Sequence, residues 1–217
     1  MLHSKNIWVA GIGRTLLNSP PMDDTVIKAM QKWPNVPNVY GWLRLDRRGN
    51  WLLQTAPGRF ERIGNRGLIE FIARNYEPDA NGSWFFQNGP QRVFVGLDYT
   101  PQVMRLGDDG RTWITQSGTA AGRILELLLD ENDQLVLVAE TGPGIVDDRD
   151  ISVLLERLAE GGAALDPEAL MARLRASSDS IQVQLMGHTI AASKVDSKTL
   201  PARFHFVSEP VPQQENA

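Results

Sequence analysis

The sequence contains no cysteine and only three histidines, and these shortages exclude several kinds of chemistry. Without cysteine there are no disulfides, thiolate nucleophiles or cysteine-ligated clusters, and the commonest structural zinc sites are excluded. His3, His188 and His205 are too far apart in sequence for two of them to share one helical face as metal ligands. We therefore predict no metal site and no cofactor. The lack of cysteine also fits a reducing compartment, so we expect a cytoplasmic protein.

Long apolar runs and basic runs are also missing. Charged or turn-forming residues interrupt every apolar stretch before it reaches the roughly 20 residues that span a bilayer, so we expect no membrane partner. The formal net charge is −4, with 22 basic against 26 acidic side chains, which gives no overall attraction toward phosphate backbones. Nucleic acid is therefore not an expected partner.

What the chain does contain is a series of β-hairpin patterns, in which two short apolar segments flank a turn rich in glycine, asparagine or aspartate. Because consecutive hairpins pair antiparallel, the predicted fold class is α+β. We expect antiparallel β-hairpins that form a twisted sheet or partial barrel, packed with a few helices. The predicted strand pairs are 38–46 with 51–54, 83–87 with 91–97, 104–106 with 111–115, and 124–129 with 134–139.

Helical periodicity and capping residues predict a small number of helices between and after these hairpins. Asp166-Pro167 is a strong start signal, because aspartate caps a helix and proline suits its first position. The glycines at 142 and 144 are interpreted as a turn between a strand and a helix. The predicted helices cover 24–33, 67–75, 151–160 and 166–175, and extended structure returns at 181–185 and 203–207.

These patterns suggest three parts of the chain. Residues 1–150 form a domain rich in β-hairpins, and residues 151–209 form a helical and strand extension that could pack as one unit with it. Residues 210–217 lack any core-forming pattern, and we expect a mobile tail there.

Nucleotide-binding signatures are incomplete. Gly11-Ile12-Gly13 follows an apolar run, but Leu16 stands where a dinucleotide-binding motif needs its third glycine. The aspartate clusters at 108–109, 130–133 and 147–150 fall in turns or before a helix, where aspartate stabilises the backbone. We therefore interpret these clusters as structural.

One segment stands out, because Trp84-Phe85-Phe86 places three aromatic residues in succession within a strand. Because successive side chains of a strand point to opposite faces, Trp84 and Phe86 point to one face and Phe85 to the other. A helix must therefore cover one face, or a ligand must bind there. The first possibility is that the helix over 67–75 covers it. The second makes the segment a binding site, for which the candidate residues are Tyr76, Trp84, Phe86, Gln87, Asn88, Gln91, Arg92, Asp98 and Tyr99.

The same stretch carries a family resemblance. Tyr40-Gly41-Trp42-Leu43, the string from Trp84 to Val93 and Tyr99-Thr100-Pro101 resemble a family of uncharacterised proteobacterial proteins that carry a domain of unknown function. The resemblance covers roughly residues 38–150. It implies a bacterial protein, and it brings no assigned reaction or ligand.

Three hypotheses about function remain open at this point. The first is a non-enzymatic binding or accessory protein that recognises an unknown protein or small molecule through the aromatic hairpin near residues 76–99. The second is a hydrolase-type enzyme that uses Glu77, Asp79 or Asp98 as acid or base near Arg92 and Tyr99. The third is self-association into a homo-oligomer through an exposed strand edge.

Overall fold

The computed structural model describes residues 24–32, 36–177 and 179–212, and these residues form two β-sheets with short helices. The helices are α1 (Asp24–Lys32), α2 (Arg66–Arg74), α3 (Ile151–Glu156), α4 (Pro167–Ala176) and α5 (Leu200–Phe204). The strands of the six-stranded sheet, in order across it, are β3 (Arg59–Arg62), β2 (Trp51–Ala56), β1 (Val39–Leu45), β6 (Gln91–Leu97), β5 (Trp84–Asn88) and β4 (Tyr76–Pro78).

The nine-stranded sheet contains strands from both halves of the chain. In order across it, the strands are β13 (Ala163–Ala164), β12 (Leu158–Glu160), β14 (Ile181–Leu185), β15 (His188–Lys194), β9 (Ile124–Leu129), β10 (Leu135–Ala139), β11 (Gly142–Val146), β7 (Gln102–Leu106) and β8 (Trp113–Thr115). Strands that follow residue 150 therefore share one sheet with strands that precede it.

The predicted α+β fold with antiparallel hairpins is confirmed. All four predicted strand pairs are present as β1–β2, β5–β6, β7–β8 and β9–β10, and each pair is antiparallel. Both sheets are nevertheless mixed, because parallel contacts join different hairpins: β1 with β6, β7 with β11, and β9 with β15. The hairpin pattern does not predict these contacts, since they link segments that are distant in sequence.

The core lies on both sides of β9 and β10, which are buried on both faces. Leu127 and Leu129 pack in one apolar cluster with Leu170 and Leu174 of α4, whereas Leu128 faces the six-stranded sheet. Alternation along a strand explains this division, because successive side chains point to opposite faces. We call the face of the six-stranded sheet that packs against β9 and β10 its inner face, and the opposite face its outer face.

The C-terminal third contains one confirmed helix and several corrections. The helix α4 begins where Asp166-Pro167 predicts, and the Asp166 carboxylate accepts a hydrogen bond from the Ala169 amide at 3.1 Å. By contrast, α3 ends at Glu156, and the stretch after it forms the strand β12. The glycines at 142 and 144 lie in a strand, β11. The absence of a side chain at Gly144 leaves room there for the Met104 side chain.

The expectation of a strand over 203–207 is wrong for most of that range. Residues up to Phe204 belong to the helix α5, and His205 ends this helix in the left-handed conformation, with φ +54°. The apolar alternation at Phe204 and Phe206 arises because both rings are buried in the inner-face core. A helix end followed by an extended segment thus produces the same pattern as a strand.

The extended segment after α5, residues 206–209, occupies the gap where β5 and β6 diverge. Val207 forms a parallel bridge with Ser83, and the Leu97 amide donates a hydrogen bond to the Ser208 carbonyl at 2.8 Å. Gly82 packs so closely against the start of this segment that an added Cβ atom would be 2.1 Å from the His205 carbonyl oxygen. The segment therefore completes the six-stranded sheet at this point.

The aspartate cluster at 147–150 takes part in local structure, as its sequence predicts. Asp147 is fully buried and receives two hydrogen bonds from the Arg149 guanidinium, at 2.8 and 2.7 Å. Asp148 pairs with Arg48, and Asp150 accepts a hydrogen bond from the Leu106 amide. The hydrogen bonds from Arg149 lower the pKa of the Asp147 carboxyl to about 2.

We expect Asp147 to stabilise the fold most above about pH 4. Its folded-state pKa lies below the ordinary value of 3.8, so its contribution is present above that value and is lost as the pH falls toward 2. The contribution is about 1–2 kcal/mol, because the Arg149 partner is open to solvent. Urea denaturation of the wild type and of Asp147→Asn across this range measures it. A difference between the two proteins that does not shrink as the pH falls would contradict the assignment.

Candidate functional site

The nine predicted site residues divide between the two faces of the six-stranded sheet and its ends. Trp84 and Phe86 point to the inner face, together with Tyr76. The helix α2 covers this position, since the ring of its Phe71 meets the Phe86 ring edge-on at a centroid distance of 5.3 Å. For these three side chains, the first possibility raised by the sequence is therefore the observed one, because a helix covers this face of the strand.

Tyr76 connects the two sheets through its hydroxyl group. The ring is buried between Trp51 and Trp84, at centroid distances of 4.9 and 4.7 Å, and the hydroxyl donates a hydrogen bond to the Pro101 carbonyl at 2.9 Å. Complete burial raises the pKa of this hydroxyl well above its ordinary value. Tyr76 therefore acts as a structural hydrogen-bond donor, out of reach of a ligand.

The outer face carries a second aromatic group, centred on Phe85 and Phe94. The two rings are 5.7 Å apart, and each is covered by another side chain. The Arg92 guanidinium lies over Phe85 at 4.4 Å from the ring centroid, and the Tyr40 ring stacks on Phe94 at 4.6 Å with an interplanar angle of 2°. Arg92 and Tyr40 are half-buried, so both side chains present part of their surface to solvent.

The hairpin turn between β5 and β6 is fixed by local hydrogen bonds, as predicted from Asn88-Gly89-Pro90. Gly89 adopts a positive φ of 58°, and the Gln87 side-chain amide donates to the Gly89 carbonyl at 2.8 Å. Gln91 donates to the Pro37 carbonyl at 3.0 Å, which ties the turn to the segment before β1. Asn88 is the exposed residue at the tip. Of the predicted residues on this hairpin, Asn88, Gln91 and Arg92 are open to solvent.

Glu77 lies beside Arg92 on the outer face. It stands opposite Phe85 in the β4–β5 register, and it is half-buried. Burial raises the pKa of the Glu77 carboxyl, and the positive charge of Arg92 opposes this shift. Asp79 lies in the next turn, where its carboxylate accepts hydrogen bonds from the amides of Asn81 and Ser83 at 2.9 and 2.8 Å. The two carboxyl groups therefore occupy separate environments.

Asp98 and Tyr99 follow the end of β6, away from the hairpin turn. Asp98 accepts a hydrogen bond from Arg44 at 2.7 Å, and Arg44 also pairs with Glu209 of the C-terminal segment. The Tyr99 hydroxyl donates to the buried Asp130 at 2.6 Å, and both burial and this contact raise the pKa of Tyr99. These residues link the ends of the two sheets and do not share a site with Arg92.

Trp42 is the prominent exposed residue of this region that sequence reasoning missed. Between Val39 and Leu43, β1 has two more residues than the matching stretch of β6, and Gly41 adopts a φ of +76° in this bulge. Leu43 is buried, whereas 58% of the Trp42 surface is exposed. A glycine between two aromatic residues in a strand pattern is a signal for a bulge, and bulges often redirect side chains at functional sites.

Other kinds of site are not evident in the part of the chain that the structure describes. No group of three or more His, Asp or Glu side chains could hold a metal ion among residues 24–32, 36–177 and 179–212. No described helix combines the length and apolar character needed to cross a membrane. An open groove of about 420 Å³ lies between α3 and α4, lined by Leu155, Pro167, Glu168, Met171 and Arg175.

The two mixed sheets and the aromatic outer face thus define an α+β protein whose outer face is the candidate site. The chain belongs to the DUF2944 family, whose model is described as "Protein of unknown function (DUF2946)" and matches residues 22–211. The expected membership of a family of unknown function is confirmed, and the match extends beyond residues 38–150 into the C-terminal third.

Among solved structures, the crystal structure of a DUF1285 family protein from Silicibacter pomeroyi DSS-3 is similar to this chain. The two share 16% sequence identity with a TM-score of 0.43, and the similarity covers 59% of this chain and 75% of that one. No curated protein matches the chain.

Proposed function

We propose that this is a non-enzymatic binding or accessory protein that recognises another protein through the outer face of the six-stranded sheet. The observation that carries the proposal is the exposed indole of Trp42 on the β1 bulge. Tryptophan, tyrosine and arginine dominate the energetically important centres of protein interfaces, and Tyr40 and Arg92 lie on the strands that carry or adjoin this bulge. We further propose a bacterial, cytoplasmic setting, supported by the family resemblance and the lack of cysteine.

A protein partner fits this surface better than a small molecule. Small-molecule sites are concave and enclose most of the ligand, whereas Trp42 projects from a bulge and is largely open to solvent. The groove between α3 and α4 is of ligand size, but it contains none of the predicted site residues.

The enzymatic alternative has less support from the geometry. Asp79 is engaged by two backbone amides, and Asp98 by Arg44. Glu77 has a raised pKa but lies on the outer face without either of these carboxyl groups beside it. Acid–base catalysis requires such groups to converge on one reacting atom.

Association through the edges of the six-stranded sheet also has less support. The edge strand β3 carries Arg59, Glu61 and Arg62, and the edge strand β4 contains Pro78. Charged side chains and proline are the features that keep sheet edges from pairing with another chain.

Replacing Trp42 with alanine should reduce partner binding by at least about thirtyfold while leaving the melting temperature nearly unchanged. The control is Met186→Ala, which removes another exposed apolar side chain far from this sheet in sequence. The test compares proteins captured from the native host by the wild type and both variants, followed by calorimetry with the purified partner. The proposal fails if Trp42→Ala retains every protein that the wild type and Met186→Ala capture.

Arg92→Ala separates a binding role from a structural one. No ion pair to Arg92 occurs within the described residues, and its guanidinium packs on the Phe85 ring, so we expect a loss of stability of about 0.5–1 kcal/mol. Loss of a buried ion pair would instead cost about 3–5 kcal/mol. Thermal melts distinguish the two, and a cost in the larger range would make Arg92 part of the architecture.

A further inference from the structure

The charges of the chain are unevenly distributed along its length. Residues 39–99, which contain all the strands of the six-stranded sheet, carry eight arginines against six carboxylates. Residues 100–212, which contain all the strands of the nine-stranded sheet, carry ten basic side chains against seventeen carboxylates. Residues 39–99 are thus the basic part of an acidic protein, and a charged surface favours partners of the opposite sign.

Two arginines on the outer face have no ion-pair partner in the part of the chain that the structure covers. Arg92 lies on β6 over the Phe85 ring, and Arg62 is exposed on the edge strand β3. Arg62 stands opposite Leu52, which stands opposite Arg44, so the three share the outer face. Arg44 already pairs with Asp98 and Glu209.

The order of the strands places Trp42 between Arg62 and Arg92. Leu43, the next residue, points to the inner face, so alternation places Trp42 on the outer face. The sheet runs β3, β2, β1, β6, and Trp42 is on β1. Neighbouring strands are about 4.8 Å apart, so β3 and β6 are roughly 14 Å apart across the sheet. Arg62 is level with Gly96, and Arg92 precedes Gly96 by four residues, which adds roughly 13 Å along β6. A segment that reaches both arginines therefore spans roughly 20 Å, or about six residues of extended chain.

We propose that the partner segment that docks on this face is acidic, with carboxylates that reach Arg62 and Arg92 on either side of an apolar side chain that packs on Trp42. This inference rests on the proposed function and adds the chemistry of the partner. Arginine suits the role, because its planar guanidinium forms paired hydrogen bonds with a carboxylate. Arg92 is also held in place in advance by Phe85.

Most carboxylates around this face already have a cationic partner. Asp98 and Glu209 both contact the single positive charge of Arg44, and Glu61 pairs with Arg59. Glu77 is half-buried beside Arg92, so an acidic segment has to compete with this carboxyl group for the guanidinium.

A phosphate backbone could also satisfy two arginines, and a base could stack on the exposed Trp42 indole. The net charge of −4, however, gives the protein no overall attraction toward a polyanionic backbone, so we commit to a short acidic peptide segment.

The test is a selection of displayed random dodecapeptides on the wild-type protein, with depletion on Trp42→Ala. We expect the enriched peptides to be acidic with one or two apolar residues. Their affinity, measured by calorimetry, should fall about tenfold in Arg62→Gln and in Arg92→Gln, and should weaken with added salt. Arg111→Gln removes an exposed arginine from the turn between β7 and β8 and should leave the affinity unchanged. Arg92→Lys retains the charge, so it should bind more tightly than Arg92→Gln.

The outcomes separate this inference from the proposed function. Enriched peptides that depend on Trp42 but are neutral or basic would overturn the inference and leave the proposed function in place. Enrichment of no peptide that depends on Trp42 would count against both. Displacement of the acidic peptides by an oligothymidylate that binds more tightly would identify nucleic acid as the ligand. Dimers seen by light scattering that dissociate in Arg62→Glu would identify a second copy of this chain. Either result would overturn the inference.

Discussion

Replacing Gly82 with alanine should destabilise the protein by about 2–5 kcal/mol. The residue has a φ of +81°, and an added Cβ would be 2.1 Å from the His205 carbonyl oxygen and 2.9 Å from its carbon. Left-handed strain costs about 1–2 kcal/mol, and forcing two backbone segments apart in a packed region adds about 1–3 kcal/mol. Guanidinium denaturation measures the change.

Gly58→Ala is the matched control for this variant. Its φ is +74°, but nothing lies within 4 Å of the position that its Cβ would occupy. It should therefore show the conformational strain alone, about 1–2 kcal/mol. Equal destabilisation by the two variants would mean that the C-terminal segment does not pack against Gly82 as the structure shows.

Leu128→Ala should destabilise the protein by about 3–5 kcal/mol, because the side chain is fully buried where β9 faces the six-stranded sheet. Truncation there removes apolar contacts between the two sheets and leaves a cavity that β9, paired on both edges, cannot close by moving. Leu53→Ala is the control, because 40% of the surface of Leu53 is exposed. This substitution should lower the free energy of unfolding by less than about 1 kcal/mol. Similar shifts of the denaturation midpoint in Leu128→Ala and Leu53→Ala would contradict the placement of Leu128 between the sheets.

Local patterns predicted the hairpins and the helices α2 and α4, because the information for them lies within a few residues. The turn at Gly89 and the cap at Asp166 are examples in which one side chain fixes the chain direction. The parallel contacts of β1 with β6 and of β9 with β15 depend on segments that are about 50 or more residues apart. No local signal specifies such contacts, so the mixed sheets were not predicted.

The candidate site shows the same limit. Alternation correctly separated Phe85 from Trp84 and Phe86, but it did not decide which face would be covered. The nine-stranded sheet and α2 cover the inner face, so Tyr76, Trp84 and Phe86 became core residues. Trp42 was overlooked because its exposure depends on the register shift between β1 and β6.

The position of residues 206–209 between β5 and β6 has a consequence for synthesis of the chain. The strands of the six-stranded sheet are complete once Leu97 has been made, but the segment that bridges β5 and β6 follows about 110 residues later. At about 5–20 residues per second, the ribosome needs about 5–20 seconds to reach it. During that interval β5 and β6 lack the segment that bridges them. A nascent chain stalled before residue 206 should therefore be far more sensitive to proteases at β5 than the released protein.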